Sequence, residues 1–128
     1  MAIVGRTSVD GPEARAASGE LSGDEYMELV QSKDISARVA AAGRPDAPLG
    51  ALIAFTQDPK PEVRASVASN PGIGRTTTVI AALSEDKSLD VVKALVDNPA
   101  VPHEAVEKIA ADGSKAARSY AQQHLALA

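Results

Sequence analysis

"SNPGI" (69–73) and "DNPAV" (97–101) place the same Asn-Pro pair twice in 128 residues, with Pro71 and Pro99 standing 28 positions apart. The residue before a proline is pushed out of the α region, and Asn tolerates turn geometry, so each pair predicts the end of a helix. "GRP" (43–45) uses Gly43 in a similar place, with Pro45 standing 26 residues before Pro71. Working outward, Ala37, Val63 and Val91 stand eight residues before these prolines, and Ala41, Val67 and Leu95 stand four before. The two columns are one helical turn apart, so each segment presents an apolar face at i and i+4.

A second apolar run follows each proline: "PLGALIAFTQ" (48–57), "RTTTVIAALSE" (75–85) and "PHEAVEKIAA" (102–111). Leu52 and Phe55, Ile80 and Leu83, then Val106 and Ile109 recur in them at helical spacing. Pro48 and Pro102 suit a first helical turn, where the missing N–H has no partner to lose. Asp58 and Asp86 open two of the segments. Asp112 opens a last one, "DGSKAARSYAQQHL" (112–125), in which Ala117 and Ala121 fill the apolar columns and Leu125 replaces the proline. Each unit therefore reads helix, Pro turn, helix, and an Asp-led turn into the next. A pair this short cannot bury both faces alone, but stacked pairs share one core. The expected fold is all-α: a short right-handed α-solenoid of stacked helical hairpins.

Ahead of the repeats, "LSGDEYMELVQSK" (21–33) carries the clearest helix start. Ser22 and Glu25 have capping-box spacing, with Leu21 and Tyr26 at the positions of a hydrophobic staple. Residues 1–20 are Gly, Ala and Ser with scattered charge. They are expected to form a flexible tail, with "PEARAAS" (12–18) as a short helix and the repeat domain filling 21–128.

Composition agrees with packed helices. Hydrophobic residues make up 45% of the chain, Trp is absent, and Tyr26, Phe55 and Tyr120 are the only aromatics. Alanine, the strongest helix former, is abundant. Net charge is −4, with 13 basic residues against 17 acidic, which argues against a phosphate-neutralising surface. The absence of Cys removes disulfides, thiolate metal sites and cysteine nucleophiles together. No run approaches the roughly 20 apolar residues of a membrane span. With no apolar leader at its start, the chain is expected to be cytoplasmic.

"DPKPEVRASVASNP" (58–71) and "DKSLDVVKALVDNPAVPHEAVEKIAAD" (86–112) together resemble HEAT repeats and the bacterial leucine-rich repeat variant. The likeness lies in the leading Asp, the Val63-Arg64 pair and the Asn-Pro in register, and it covers about residues 32–125. It implies a curved helical scaffold without catalysis of its own, used for docking proteins or, in some HEAT-like members, DNA. Three departures stand out. Val91-Val92 replaces Val-Arg, "GRP" lacks the Asn, and no Cys is present for the iron–sulfur cluster found beside some variant repeats.

Candidate chemistry is thin. The column Arg38, Arg64, Arg118 reads either as a basic stripe or as a structural link, in which Asp58 with Arg64, and Asp112 with Arg118, tie adjacent turns. The second reading is favoured because Val92 interrupts the column. "NPGIGR" (70–75) lacks the preceding strand and the Gly-Lys-Ser/Thr of a phosphate loop and reads as a loosened turn. His103 and His124 fall in different repeats without a ligand pattern. Glu104 and Glu107, one turn apart, fit a solvated face, and no nucleophile elbow is present. The chain is expected to be a non-enzymatic interaction scaffold without a cofactor. Asp58, Arg64, Asn70, Pro71, Asp86, Asn98, Pro99, Asp112 and Arg118 are the expected turn and ladder residues. Arg38, Arg75, His103 and Tyr120 are the candidate contacts to a protein partner. DNA binding is a weaker reading, and homodimerisation through the C-terminal end, where Leu125 and Leu127 stand, is a third.

Overall fold

Ser22 opens the first helix with the reciprocal bonds its spacing predicts. Its hydroxyl accepts from the Glu25 N–H at 3.1 Å, and the Glu25 carboxylate accepts from the Ser22 N–H at 2.8 Å. In the computed structural model, which describes Ala16 and residues 19–127, eight α-helices follow and no strand is present among the described residues. They are α1 (Gly23–Val30), α2 (Ile35–Ala42), α3 (Leu49–Thr56), α4 (Pro61–Ala68), α5 (Thr77–Ser84), α6 (Leu89–Asp97), α7 (His103–Asp112) and α8 (Lys115–Leu127), with a 3₁₀ turn over Ile73–Arg75. The expected tail and its short helix lie almost wholly outside the described residues.

Helices two apart in the chain touch one another throughout. α2, α4, α6 and α8 form one row, and α1, α3, α5 and α7 form the other. The arrangement is compatible with an α-solenoid. Between the rows lie the apolar columns. Ala37 and Ala41, Val63 and Val67, Val91 and Leu95, and Ala117 and Ala121 are all buried on the first row. Leu52 and Phe55, Ile80 and Leu83, and Val106 and Ile109 are buried on the second. Each large aliphatic side chain taken fully from water contributes about 1.5–3 kcal/mol, so the central units with Val and Leu carry more of the core than the Ala-lined ends.

Turn chemistry follows the sequence with some shifts of position. Asp34 caps α2 through the N–H groups of Ser36 and Ala37. Pro48 and Pro102 sit at the cap position just outside α3 and α7, and Pro61 takes the first turn of α4. "NPGIGR" differs from its expected looseness: Ile73 is wholly buried in the 3₁₀ turn. A Cβ at Gly72 would stand 2.5 Å from the Pro45 carbonyl oxygen, and one at Gly74 would stand 2.5 Å from that of Ala100. The two glycines let the turn wedge between the turns before and after it, which is why this copy alone needs them.

Candidate functional site

Arg38 lies on α2 and Asp58 in the turn between α3 and α4. Arg38 Nε donates to Asp58 Oδ2 at 2.7 Å and Nη2 to Oδ1 at 3.3 Å, while Nη1 reaches the Ser32 carbonyl at 2.6 Å. Arg64 on α4 repeats the arrangement on Asp86 at 2.8 and 3.2 Å, with Nη1 on the Asp58 carbonyl at 2.7 Å. A planar guanidinium has the donors for this double grip, a carboxylate ahead and a carbonyl behind. Both ion pairs are buried, with side chains between 6% and 11% exposed.

This geometry corrects the expected pairing. Asp58 gives Arg64 its carbonyl but gives its carboxylate to Arg38, so each arginine joins one unit to the next. Arg38, expected at a partner surface, is committed to its ion pair and withdrawn from solvent. Asp112 and Arg118 do not pair. Asp112 is exposed, and Arg118 donates to the Gly113 carbonyl at 3.0 Å.

A second ladder runs along the opposite ends of the same helices. Asn70 Nδ2 donates to the carbonyls of Ala42 (2.8 Å) and Arg44 (2.7 Å), and its Oδ1 accepts from the Gly72 N–H at 2.7 Å. Asn98 does the same with Ala68 and Asn70, both at 2.9 Å, and with the Ala100 N–H at 2.9 Å. One amide thus serves the last carbonyl of the preceding unit's helix and a carbonyl of the turn after it, and closes its own turn. Pro71 and Pro99, next to these amides, remain exposed.

Sequence reasoning placed Asn70 and Asn98 among the turn and ladder residues but missed a third member of their column. Arg44 stands just before Pro45, as Asn70 and Asn98 stand before their prolines, and donates to the carbonyls of Ala16 (3.0 Å) and Gly19. Ala16 is helical and wholly buried. Matching Arg44, rather than Gly43, to Asn70 and Asn98 in the proline alignment would have exposed the column.

Arg44 also meets Tyr26 and Asp46. The Tyr26 hydroxyl donates to Asp46 Oδ1 at 2.7 Å and accepts from Arg44 Nε at 2.9 Å, and the guanidinium lies 5.9 Å from the ring centre. Burial, followed by the bond to Asp46, pushes the Tyr26 phenol up to about 12. The bond from Arg44, then that from Tyr26, holds Asp46 below its ordinary value, and the bond to Asp46 raises Arg44. Because the folded value of Tyr26 lies above its ordinary 10.0, the neutral phenol favours the fold. That contribution is complete below about pH 10 and lost as pH rises toward 12. A tyrosinate absorbance titration will show a last ionisation near pH 12 that Tyr26→Phe removes.

The remaining candidates are scattered. Tyr120 on α8 is half-buried. Its hydroxyl donates to the Asp97 carboxylate at 2.7 Å, which raises its pKa, and Lys93 lies 5.2 Å over its ring. His124 approaches the same carboxylate at 3.7 Å. His103 is exposed at the start of α7, 3.6 Å from Glu107. On α8 Arg118 continues the arginine column and His124 the asparagine column, while exposed Gln122, one turn after Arg118, donates through Nε2 to the Ala110 carbonyl at 3.1 Å. Leu125 packs partly against the core, and Leu127 is 88% exposed.

Two surface features are open to a partner. Leu49 (50% exposed) and Ile53 (37%) stand one turn apart on α3. Leu49 also lines a groove of about 420 Å³ with Pro45, Pro48, Arg75 and Thr76. Shallow grooves also separate successive turns on the ladder side, one of about 500 Å³ beside Arg64 and one of about 330 Å³ beside Val92. No group of three metal-ligating side chains occurs among the described residues, and none of their helices is long and apolar enough to cross a membrane. In comparisons with protein-family models, curated proteins and solved structures, no match to the chain was found.

Proposed function

We propose that the chain is a non-enzymatic protein-interaction scaffold of the cytoplasm, a short right-handed stack of HEAT-like or variant leucine-rich repeat hairpins that offers a preformed surface to a protein partner. The observation that carries this reading is the pair Leu49 and Ile53, exposed beside a groove in which Arg75 supplies a charge. Apolar side chains ringed by polar ones on a rigid support are what a docking surface needs, because little ordering entropy is lost on binding. The ladder arginines argue against the DNA reading. Arg38 and Arg64 each face a carboxylate, so their charge is neutralised and turned inward.

The test is capture of partners by the full chain after mild cross-linking, compared with Leu49→Ser, Ile53→Ser and Arg75→Glu, each checked for native helicity. A stoichiometric protein is expected, its affinity reduced about tenfold or more by each substitution at a true anchor. Recovery of nucleic acid that salt removes, with no such protein, would overturn the reading.

A further inference from the structure

Both ladders stop before the stack does, and at one place the socket of a missing rung remains. Ser32, Asp58 and Asp86 stand six residues before Arg38, Arg64 and Val92. In the first two cases the arginine takes the carbonyl of the residue six back and the carboxylate of the next unit's Asp. At the third, Val92 is buried and has nothing to donate. The groove of about 330 Å³ lies at this position, lined by Glu85, Asp86, Val92, Lys108, Asp112 and Ser114 among others.

Asp112 occupies the register of Asp58 and Asp86 in relation to the arginine column, yet it makes no ion pair among the described residues. It closes α7, so its negative charge stands at the negative end of that helix. Asp58 and Asp86 stand two residues beyond the ends of α3 and α5 rather than in the last helical position, and there a guanidinium offsets the charge. Lys108, one turn earlier on α7, lines the groove but carries a point charge rather than a planar fork.

We propose that this groove receives an arginine side chain from a protein partner, whose guanidinium supplies the missing rung: the fork on the Asp112 carboxylate and the third nitrogen on the Asp86 carbonyl. The molecule itself specifies the chemistry, since the two equivalent places are filled by guanidinium groups and the groove has the charge to complement a third. The proposal rests on the scaffold reading for the source of that arginine, but the groove can be tested without a partner.

The experiment follows amide shifts of the isotope-labelled full chain during titration with N-acetyl-arginine methylamide at low ionic strength, with the lysine counterpart as control. One exposed bidentate contact predicts saturable binding in the millimolar range. The shifts should be confined to residues 84–92 and 108–114, and the arginine probe should bind roughly fivefold tighter than lysine. Asp112→Asn should abolish this binding. Val92→Arg should also abolish it, by filling the groove from within. Should that buried substitution fail to fold, the exposed Asp112→Asn carries the test alone. Shifts scattered over all the acidic residues, equal binding of lysine, or binding that survives Asp112→Asn would each overturn the proposal. None of these outcomes bears on capture through Leu49 and Ile53, so the two readings fail separately.

Discussion

Arg64→Ala will destabilise the fold by about 3–5 kcal/mol, because it leaves the Asp86 carboxylate buried without its cation. Two units lose their link at once. Arg64 holds Asp86, in the turn that leads into α6, and the Asp58 carbonyl, in the turn that leads into its own helix. A buried ion pair is not stabilising merely by being present, since removing two charges from water offsets much of their attraction. The double variant Arg64→Met with Asp86→Leu should therefore lose less than Arg64→Ala alone, even though it also removes the bond from the Ser88 N–H to Asp86. Urea unfolding of the three proteins, compared at constant slope, checks the order. If the single and double variants lose equally, the carboxylate has found water, and the pair matters only through its packing.

The second large effect is expected at Asn70, where the substitution Asn70→Asp keeps the shape and removes both donors. The side chain is 1% exposed and its Nδ2 serves two carbonyls, so the exchange places a carboxylate oxygen against the oxygens of Ala42 and Arg44. Losing two buried donor bonds predicts a cost of about 4 kcal/mol at neutral pH. The introduced carboxyl is more easily charged when unfolded than when folded, so its folded pKa is raised. The penalty therefore shrinks as pH falls from the raised folded value toward the ordinary carboxylate value near ~4, because the protonated carboxyl can again donate one bond. Thermal midpoints of wild type and Asn70→Asp across this range should converge on the acid side. A gap independent of pH would mean that Asn70 acts by shape alone.

These two ladders also mark how far the sequence could be read. The apolar columns and the proline punctuation were legible because helix periodicity and the restriction before proline act locally, and all eight column residues from Ala37 to Ala121 are buried as expected. Pairing along the ladders is not local. Asp58 and Arg64 are six residues apart, which made a direct pairing of the two side chains, tying adjacent turns, the simplest reading. The arginine instead spans two turns, reaching backbone on one side and carboxylate on the other. Gly72 and Gly74 read as looseness because their requirement comes from Pro45 and Ala100, which lie far from them in the chain. Arg44 stayed hidden because a long charged side chain does the work of an amide in the same column. The apolar pair Leu49 and Ile53 was part of an ordinary hydrophobic run until the packing showed which of its residues the core leaves uncovered.

The interruption at Val92 has a mechanical consequence. α2 is joined to the following unit by Arg38 and Asn70, and α4 by Arg64 and Asn98, so the junctions between α2, α4 and α6 are each fastened at both edges. Between α6 and α8 neither fastening exists: Val92 replaces the arginine and His124 stands in the asparagine column. That seam is held by apolar packing and, at its rim, by contacts of Tyr120 and His124 with Asp97 and of Lys93 with the Tyr120 ring, all more exposed than the ladder bonds. Under tension along the stack, the molecule has a built-in order of failure. The α8 end peels first, while the doubly fastened middle keeps its shape and with it the surface around Leu49.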